Sequence, residues 1–197
     1  MPRKRRICME GVTYHVTSRC IEKKPLMKSD QMKDMMIDVL RMTQKKYSFD
    51  LNDFVIMDNH FHFVIKTRKD GESISRIMQF IKSRYAQRYN WHMHRTGPFW
   101  NERFYDNIVE MADNPVAYRE LLRLYLGFNP VRSGYVNDPR KYRYSSYNCY
   151  IDPNYKPLVT ITLDDYFIRS GKTFEERAQK VIESEEEYRN RIFPDCI

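Results

Sequence analysis

The stretch Met57-Asp-Asn-His-Phe-His-Phe-Val-Ile-Lys66 alternates side chains in strict two-residue steps behind an Asp-Asn turn pair. Successive side chains of a β-strand point to opposite faces. His60–Lys66 therefore reads as a strand, with Phe61, Phe63 and Ile65 on one face and His60, His62 and Val64 on the other. Phe54–Met57, on the far side of the turn, reads as its partner.

Outward from this hairpin the pattern changes to helical spacing. Upstream, Ser29 or Asp30 caps a helix to about Tyr47, with Met32, Met35, Met36, Val39 and Leu40 as its apolar stripe. Before it, the β-branched run Val12–Ser18 is a first strand, preceded by a basic leader ending at Gly11. Downstream, Ser73–Trp91 is a helix with Ile74, Ile77, Met78, Ile81, Tyr85 and Tyr89 inward. Phe99–Val109 supplies a fourth strand or a pair of short ones. Asn114-Pro115 starts a third helix, expected to end at Asn129 because a residue before proline is pushed out of the helical region. Asp152–Pro157 reads as a linker, and Thr173-x-x-Glu176 as the capping box of a last polar helix to about Arg191. The expected fold is α+β: a ferredoxin-like antiparallel sheet with helices mainly on one face, plus a C-terminal helical extension. The expected division is a catalytic domain over 1–150 and a linker with helix over 151–197.

The 197 residues carry a net charge of +8, which suits a polyanionic partner. No apolar run approaches the ~18 residues of a membrane helix, and the basic start has no apolar stretch behind it, so a secretory signal is not expected. Cys8, Cys20, Cys149 and Cys196 show no C-x-x-C spacing; free thiols in a reducing cytoplasm are expected. Many tyrosines neighbour cations, as in Arg84-Tyr85, Arg88-Tyr89 and Lys141-Tyr142-Arg143-Tyr144. Rings beside cations suit unstacked bases and phosphates, although structural tyrosines would give the same pattern.

Two His-x-His pairs occur, and their contexts separate them. His60 and His62 share one face of a strand and can grip one cation, whereas His92 and His94 end a helical pattern and diverge. Two imidazoles leave room for another ligand and for substrate. Tyr125 and Asn129, four apart on the third helix, share a face; a carboxamide oxygen suits Mg²⁺ or Mn²⁺, and a phenol beside such a cation can be a nucleophile. Core packing for Tyr125 and a helix end at Asn129 is the competing reading.

Met57–Ile65 resembles the His-hydrophobe-His strand of the HUH single-tyrosine transposases. Tyr125-Leu-Gly-Phe-Asn-Pro-Val-Arg132 resembles the tyrosine helix of the REP-associated tyrosine transposases, with further similarity at Tyr14–Thr17, Phe99–Tyr105 and Tyr144–Tyr147. The resemblance covers roughly 1–150. It implies cleavage and rejoining of single-stranded DNA at hairpin-containing sites through a 5′-phosphotyrosine, with Tyr125 as nucleophile, His60 and His62 as ligands of Mg²⁺ or Mn²⁺, and Asn129 as third ligand. It further implies a cytoplasmic bacterial protein at the nucleoid when bound to DNA, acting as one subunit or as a homodimer. Two positions depart from the pattern: Asp58 stands where relatives often have Pro, and Gly127 interrupts the helix, either to let its last turn adjust or to mark a short helix.

The cations expected to meet phosphates are Arg3, Lys4, Arg5 and Arg6 of the leader, with Arg76, Lys82, Arg84, Arg88 and Arg103. The alternative reading is a non-catalytic single-stranded nucleic-acid-binding module. A metal-dependent hydrolase of small substrates would need neither the leader nor the interleaved Arg and Tyr.

Overall fold

The computed structural model describes residues 8–192. The leader cations Arg3, Lys4, Arg5 and Arg6 lie outside the described residues. Strands β1 (Thr13–Arg19), β2 (Phe49–Ile56), β3 (His60–Thr67) and β4 (Tyr105–Ile108) form one sheet in the order β2-β3-β1-β4. Every pairing is antiparallel. Helices α1 (Asp30–Lys46) and α2 (Ile74–His92) follow β1 and β3, which is the expected ferredoxin-like order.

Local chemistry sets the helix starts. Ser29 accepts a hydrogen bond from the Met32 amide, and Ser73 one from Arg76. The apolar stripes of α1 and α2 bury Met36, Val39, Leu40, Ile77, Ile81 and Tyr85 against the face carrying Phe61, Phe63 and Ile65. Phe61 stacks on Phe63 at 4.1 Å and meets the Trp100 ring edge-on at 5.3 Å. Burying side chains of this size contributes roughly 1.5–3 kcal/mol each before the cost of ordering them.

The opposite face carries His60 and His62 and is crossed by α3 (Pro115–Arg132). Here the structure corrects the expected boundary. The helix runs through Pro130 to Arg132, because the proline sits in its final turn, where its missing N–H costs one hydrogen bond, and the Ser133 amide still reaches the Asn129 carbonyl at 3.1 Å. Phe128, Asn129 and Pro130 are buried, so tertiary packing holds the turn. Gly127 does not mark a short helix, since α3 runs on to Arg132: a methyl group there would fall inside contact distance of the Tyr147 ring, so glycine lets that ring lie on the helix.

Strand β2 begins earlier than the expected Phe54. It is buried almost throughout and carries a register shift between Leu51 and Asp53, and both features hide the two-residue alternation. The fourth strand shrinks to Tyr105–Ile108, with Trp100 making an isolated bridge to Cys20. A short helix, α4 (Asp165–Arg169), precedes α5 (Phe174–Ile192) and had no counterpart in the sequence pattern. In the capping box of α5 the Thr173 hydroxyl takes the Glu176 amide at 3.2 Å, while the Glu176 carboxylate takes the amide of Lys172 at 2.7 Å.

A second apolar cluster joins α3 to this C-terminal segment, through Leu124, Phe128, Tyr147, Tyr150, Phe167, Val181 and Tyr188. Below it lies a buried ionic network. Arg119 of α3 meets Asp53 of β2 at 3.1 Å and Asp164 at 2.7 Å, and Arg123 reaches Asp164 at 3.1 Å. The outer margin of β2 is also covered: Ile56 and Phe54 exchange backbone hydrogen bonds with Tyr144 and Ser146, and the Thr162 amide reaches Leu51.

Candidate active site

Three antiparallel neighbours build the site face. In the register Arg19 lies opposite His60 and Thr17 opposite His62; His15 and Thr17 face Asn107 and Tyr105 of β4. The two-residue step therefore brings His15, Thr17, Arg19, His60, His62, Tyr105 and Asn107 to one side of the sheet.

His60 and His62 sit with ring centroids 5.1 Å apart and planes at 85°. The His60 Nδ1 lies 2.7 Å from the Asn59 Oδ1, and the Asn129 side chain lies near enough to the same ring to favour its charged form. His62 Nδ1 lies 3.0 Å from His15 Nε2. The Tyr125 ring meets that of His62 edge-on, centroids 5.4 Å apart. The Arg132 guanidinium stands 5.9 Å from the Tyr125 ring centroid. Tyr125 is partly exposed within a run of α3 that is otherwise buried from Leu122 to Pro130. The fold thus brings together Tyr125, His60, His62 and Asn129, although they come from a strand and a helix well separated in sequence. His92, at the end of α2, and exposed His94, just beyond it, belong to the other side of the sheet.

Burial lowers the His60 imidazole to about 4, with help from the positive charge of Arg19. Burial, then His15 and His60, holds His62 well below its ordinary value. Burial and then Arg119 lower His15 to about 4. All three rings are neutral near pH 7, the state in which imidazole can ligate a metal. Among the described residues no group of three or more His, Cys, Asp and Glu is arranged to hold a metal ion. A third protein donor at this place would be a neutral oxygen such as that of Asn129. Two imidazoles and a carboxamide fit a divalent cation that keeps open positions.

Beside Tyr125 lies a cavity of about 410 Å³, lined by His15, Asn107, Tyr118, Leu122, Tyr188 and their neighbours. Tyr188 and Ile192, both from α5, close one side of it.

The nominated DNA-binding cations do not gather here. Arg76 and Arg84 are exposed on α2, and Arg88 pairs with Asp38 of α1, so all belong to the helical face away from Tyr125. Lys82 and Arg103 line a separate groove between α2 and residues 97–104. The aromatic expectation is corrected more sharply. Tyr85, Tyr89, Tyr142 and Tyr144 are buried core residues, because neighbours in sequence project differently and the cation takes the solvent side. The exposed ring on the site face is Tyr105, which is 60% exposed. Arg19 and Arg132 are exposed beside His60 and Tyr125, and Arg191 lines the cavity next to Tyr125. Arg132 closes the motif quoted from the sequence but was given no role there, and Arg19 was not singled out; the parity of β1 against β3 would have revealed Arg19.

The family model of the IS200-like transposases matches residues 8–119. The chain belongs to the IS200-like transposase family. The matched residues include His60 and His62 and end within α3, ahead of Tyr125. Among solved structures, a REP-associated tyrosine transposase bound to a REP hairpin aligns with a TM-score of 0.63 at 19% identity, covering 88% of this chain and 98% of that one. The two share the fold. A candidate transposase from Deinococcus radiodurans R1 aligns over 62% of this chain and 93% of its own, with a TM-score of 0.41 and 14% identity. No curated protein sequence matches significantly. As an IS200-like transposase the protein acts on DNA, and among its described residues no helix is long and apolar enough to cross a membrane.

Proposed function

We propose that this transposase cuts and rejoins single-stranded DNA at hairpin-containing sites through a covalent 5′-phosphotyrosine, with Tyr125 as the nucleophile. The observation that carries the reading is the edge-on approach of the Tyr125 ring to His62, 5.4 Å between centroids, with the Asn129 side chain beside His60 in the same place. His60, His62 and Asn129 would hold Mg²⁺ or Mn²⁺, which when bound polarises the scissile phosphoryl group and offsets charge developing on it.

The chain's own residues supply the rest. Tyr125 Oη attacks phosphorus, its proton passing to solvent; the bond to the 3′-oxygen breaks, and that oxygen takes up a proton as the 3′-hydroxyl. Rejoining reverses this with an incoming 3′-hydroxyl. Arg19 and Arg132 are placed to pair with phosphates flanking the cut, and Tyr105 offers a ring on which a free base can stack. Hairpin DNA is the proposed partner, in line with the REP hairpin bound by the structural relative. We assign catalysis to residues 1–150 and a supporting role to 151–197, and place the work at the nucleoid. Both site histidines and Tyr125 come from one chain, which supports action by a single subunit; a homodimer would pair two complete sites.

Incubation with an end-labelled hairpin oligonucleotide and Mn²⁺, followed by denaturing electrophoresis, tests the reading. A protein–DNA adduct that requires Mn²⁺ is expected. Binding without any adduct would favour the non-catalytic module.

A further inference from the structure

We propose that Asn59 and His15 are positioning residues that fix the tautomers of His60 and His62, so that both rings present Nε2 to the cation site. The inference rests on the reading of His60 and His62 as metal ligands.

A neutral imidazole carries one N–H and one lone pair, and only the lone pair can ligate. At His60 the assignment follows from a chain of contacts. The Asn59 Nδ2 donates to the Lys23 carbonyl at 2.9 Å. A carbonyl can only accept, so the amide is oriented, and its Oδ1 is the atom 2.7 Å from His60 Nδ1. That oxygen also only accepts, so Nδ1 carries the proton and Nε2 the lone pair. The Lys23 carbonyl is itself aimed by a strained turn: Glu22 and Lys23 both adopt the left-handed region, at φ 54° and 57°. Two consecutive non-glycine residues there are strained, and the surrounding structure has to sustain that strain.

At His62 the partner is a ring. His15 Nε2 lies 3.0 Å from His62 Nδ1, the planes are 20° apart and the centroids 5.2 Å apart. The difference between the two distances is about two ring radii. The imidazoles therefore meet edge to edge, nearly in one plane, in the geometry of an N–H···N hydrogen bond rather than of a face-to-face stack. With His62 donating from Nδ1 and His15 accepting at Nε2, His62 Nε2 is left with the lone pair. Outer partners of this kind orient metal-bound histidines and raise their basicity.

Nitrogen-15 NMR of the metal-free wild-type protein at neutral pH reads the tautomers directly. Both His60 and His62 should be protonated at Nδ1; protonation of either at Nε2 overturns the proposal for that ring. Mn²⁺ binding followed by electron paramagnetic resonance provides the second test, on proteins whose thermal melts match wild type. His15→Phe and Asn59→Leu should each weaken Mn²⁺ binding by roughly 10- to 100-fold. His15→Gln, which keeps an acceptor, should recover most of the loss. Unchanged Mn²⁺ affinity in His15→Phe and Asn59→Leu overturns the positioning role. If His60→Ala and His62→Ala also bind Mn²⁺ as wild type does, the metal reading itself has failed; if they lose it while His15→Phe does not, the ligand assignment stands and the positioning role falls.

Discussion

Arg119 of α3 and Asp164 of the C-terminal extension meet at 2.7 Å with side chains 0% and 4% exposed. Burial alone would raise the Asp164 carboxyl, but Arg119 and then Arg123 outweigh it and hold the group below its ordinary value. Asp53 accepts a hydrogen bond from the same Arg119 guanidinium and another from Ser146, while Tyr150 bridges Arg119 and Asp164. The helix carrying Tyr125 is thus fixed to the sheet and to the extension by the same few charges.

Removing one partner of such a pair leaves the others buried and uncompensated. Asp164→Asn should destabilise the protein by about 3–5 kcal/mol. Urea unfolding would show it as a lower midpoint with little change in slope.

Gly127→Ala should also destabilise, against helix propensity, which favours alanine by about 1 kcal/mol. The added methyl meets the ring of Tyr147, which is buried and held by its hydroxyl to Glu185 at 2.7 Å. Overpacking of this kind costs about 1–3 kcal/mol. A rise in melting temperature for Gly127→Ala would show that the ring moves aside freely.

Tyr125→Phe should fold and bind hairpin DNA yet give no adduct, since the ring stays and the nucleophilic oxygen goes. His60→Ala and His62→Ala should abolish Mn²⁺-dependent cleavage while His92→Ala and His94→Ala cleave normally. Comparable cleavage by Tyr125→Phe would move the nucleophile to another residue, and equal losses from both histidine pairs would move the metal.

Tyr105→Ala should weaken binding of single-stranded DNA by about 1–3 kcal/mol, the contribution of one base stacked on an aromatic ring, and leave duplex binding unchanged. Fluorescence anisotropy with both oligonucleotides measures the split.

The metal-free protein should lose stability as pH falls. His15 and His60 titrate near 4 in the folded chain but near 6.5 when unfolded. Between those values the unfolded chain binds more protons, so folding weakens by about 1.4 kcal/mol per pH unit for each such group. Urea midpoints measured from pH 7 to 4 in the presence of a chelator should fall through this window. A flat profile would mean that the imidazoles are hydrated.

Residues whose partners lie close in sequence were the legible ones. His60 and His62 declared their shared face because a strand repeats every two residues, and the stripes of α1 and α2 followed helical spacing into the core. Tyr125 and Asn129 carried a pairing signal at i,i+4. What stayed hidden depended on contacts across the fold. Arg119 reads as an ordinary helical cation until Asp53 and Asp164 are brought to it. Gly127 makes sense once Tyr147 arrives from a later segment. His15 lies far from His62 in sequence, and register alone unites them.

The covered margin of β2 has a bearing on how copies of this protein can associate. Residues 144–146 and 162 already occupy the backbone groups along that edge, so a second sheet finds no template there. The opposite margin, β4, is a single short strand of 4 residues. Intermolecular strand pairing is thereby confined to one narrow seam, next to Tyr105, where a bound DNA strand would compete for the same space.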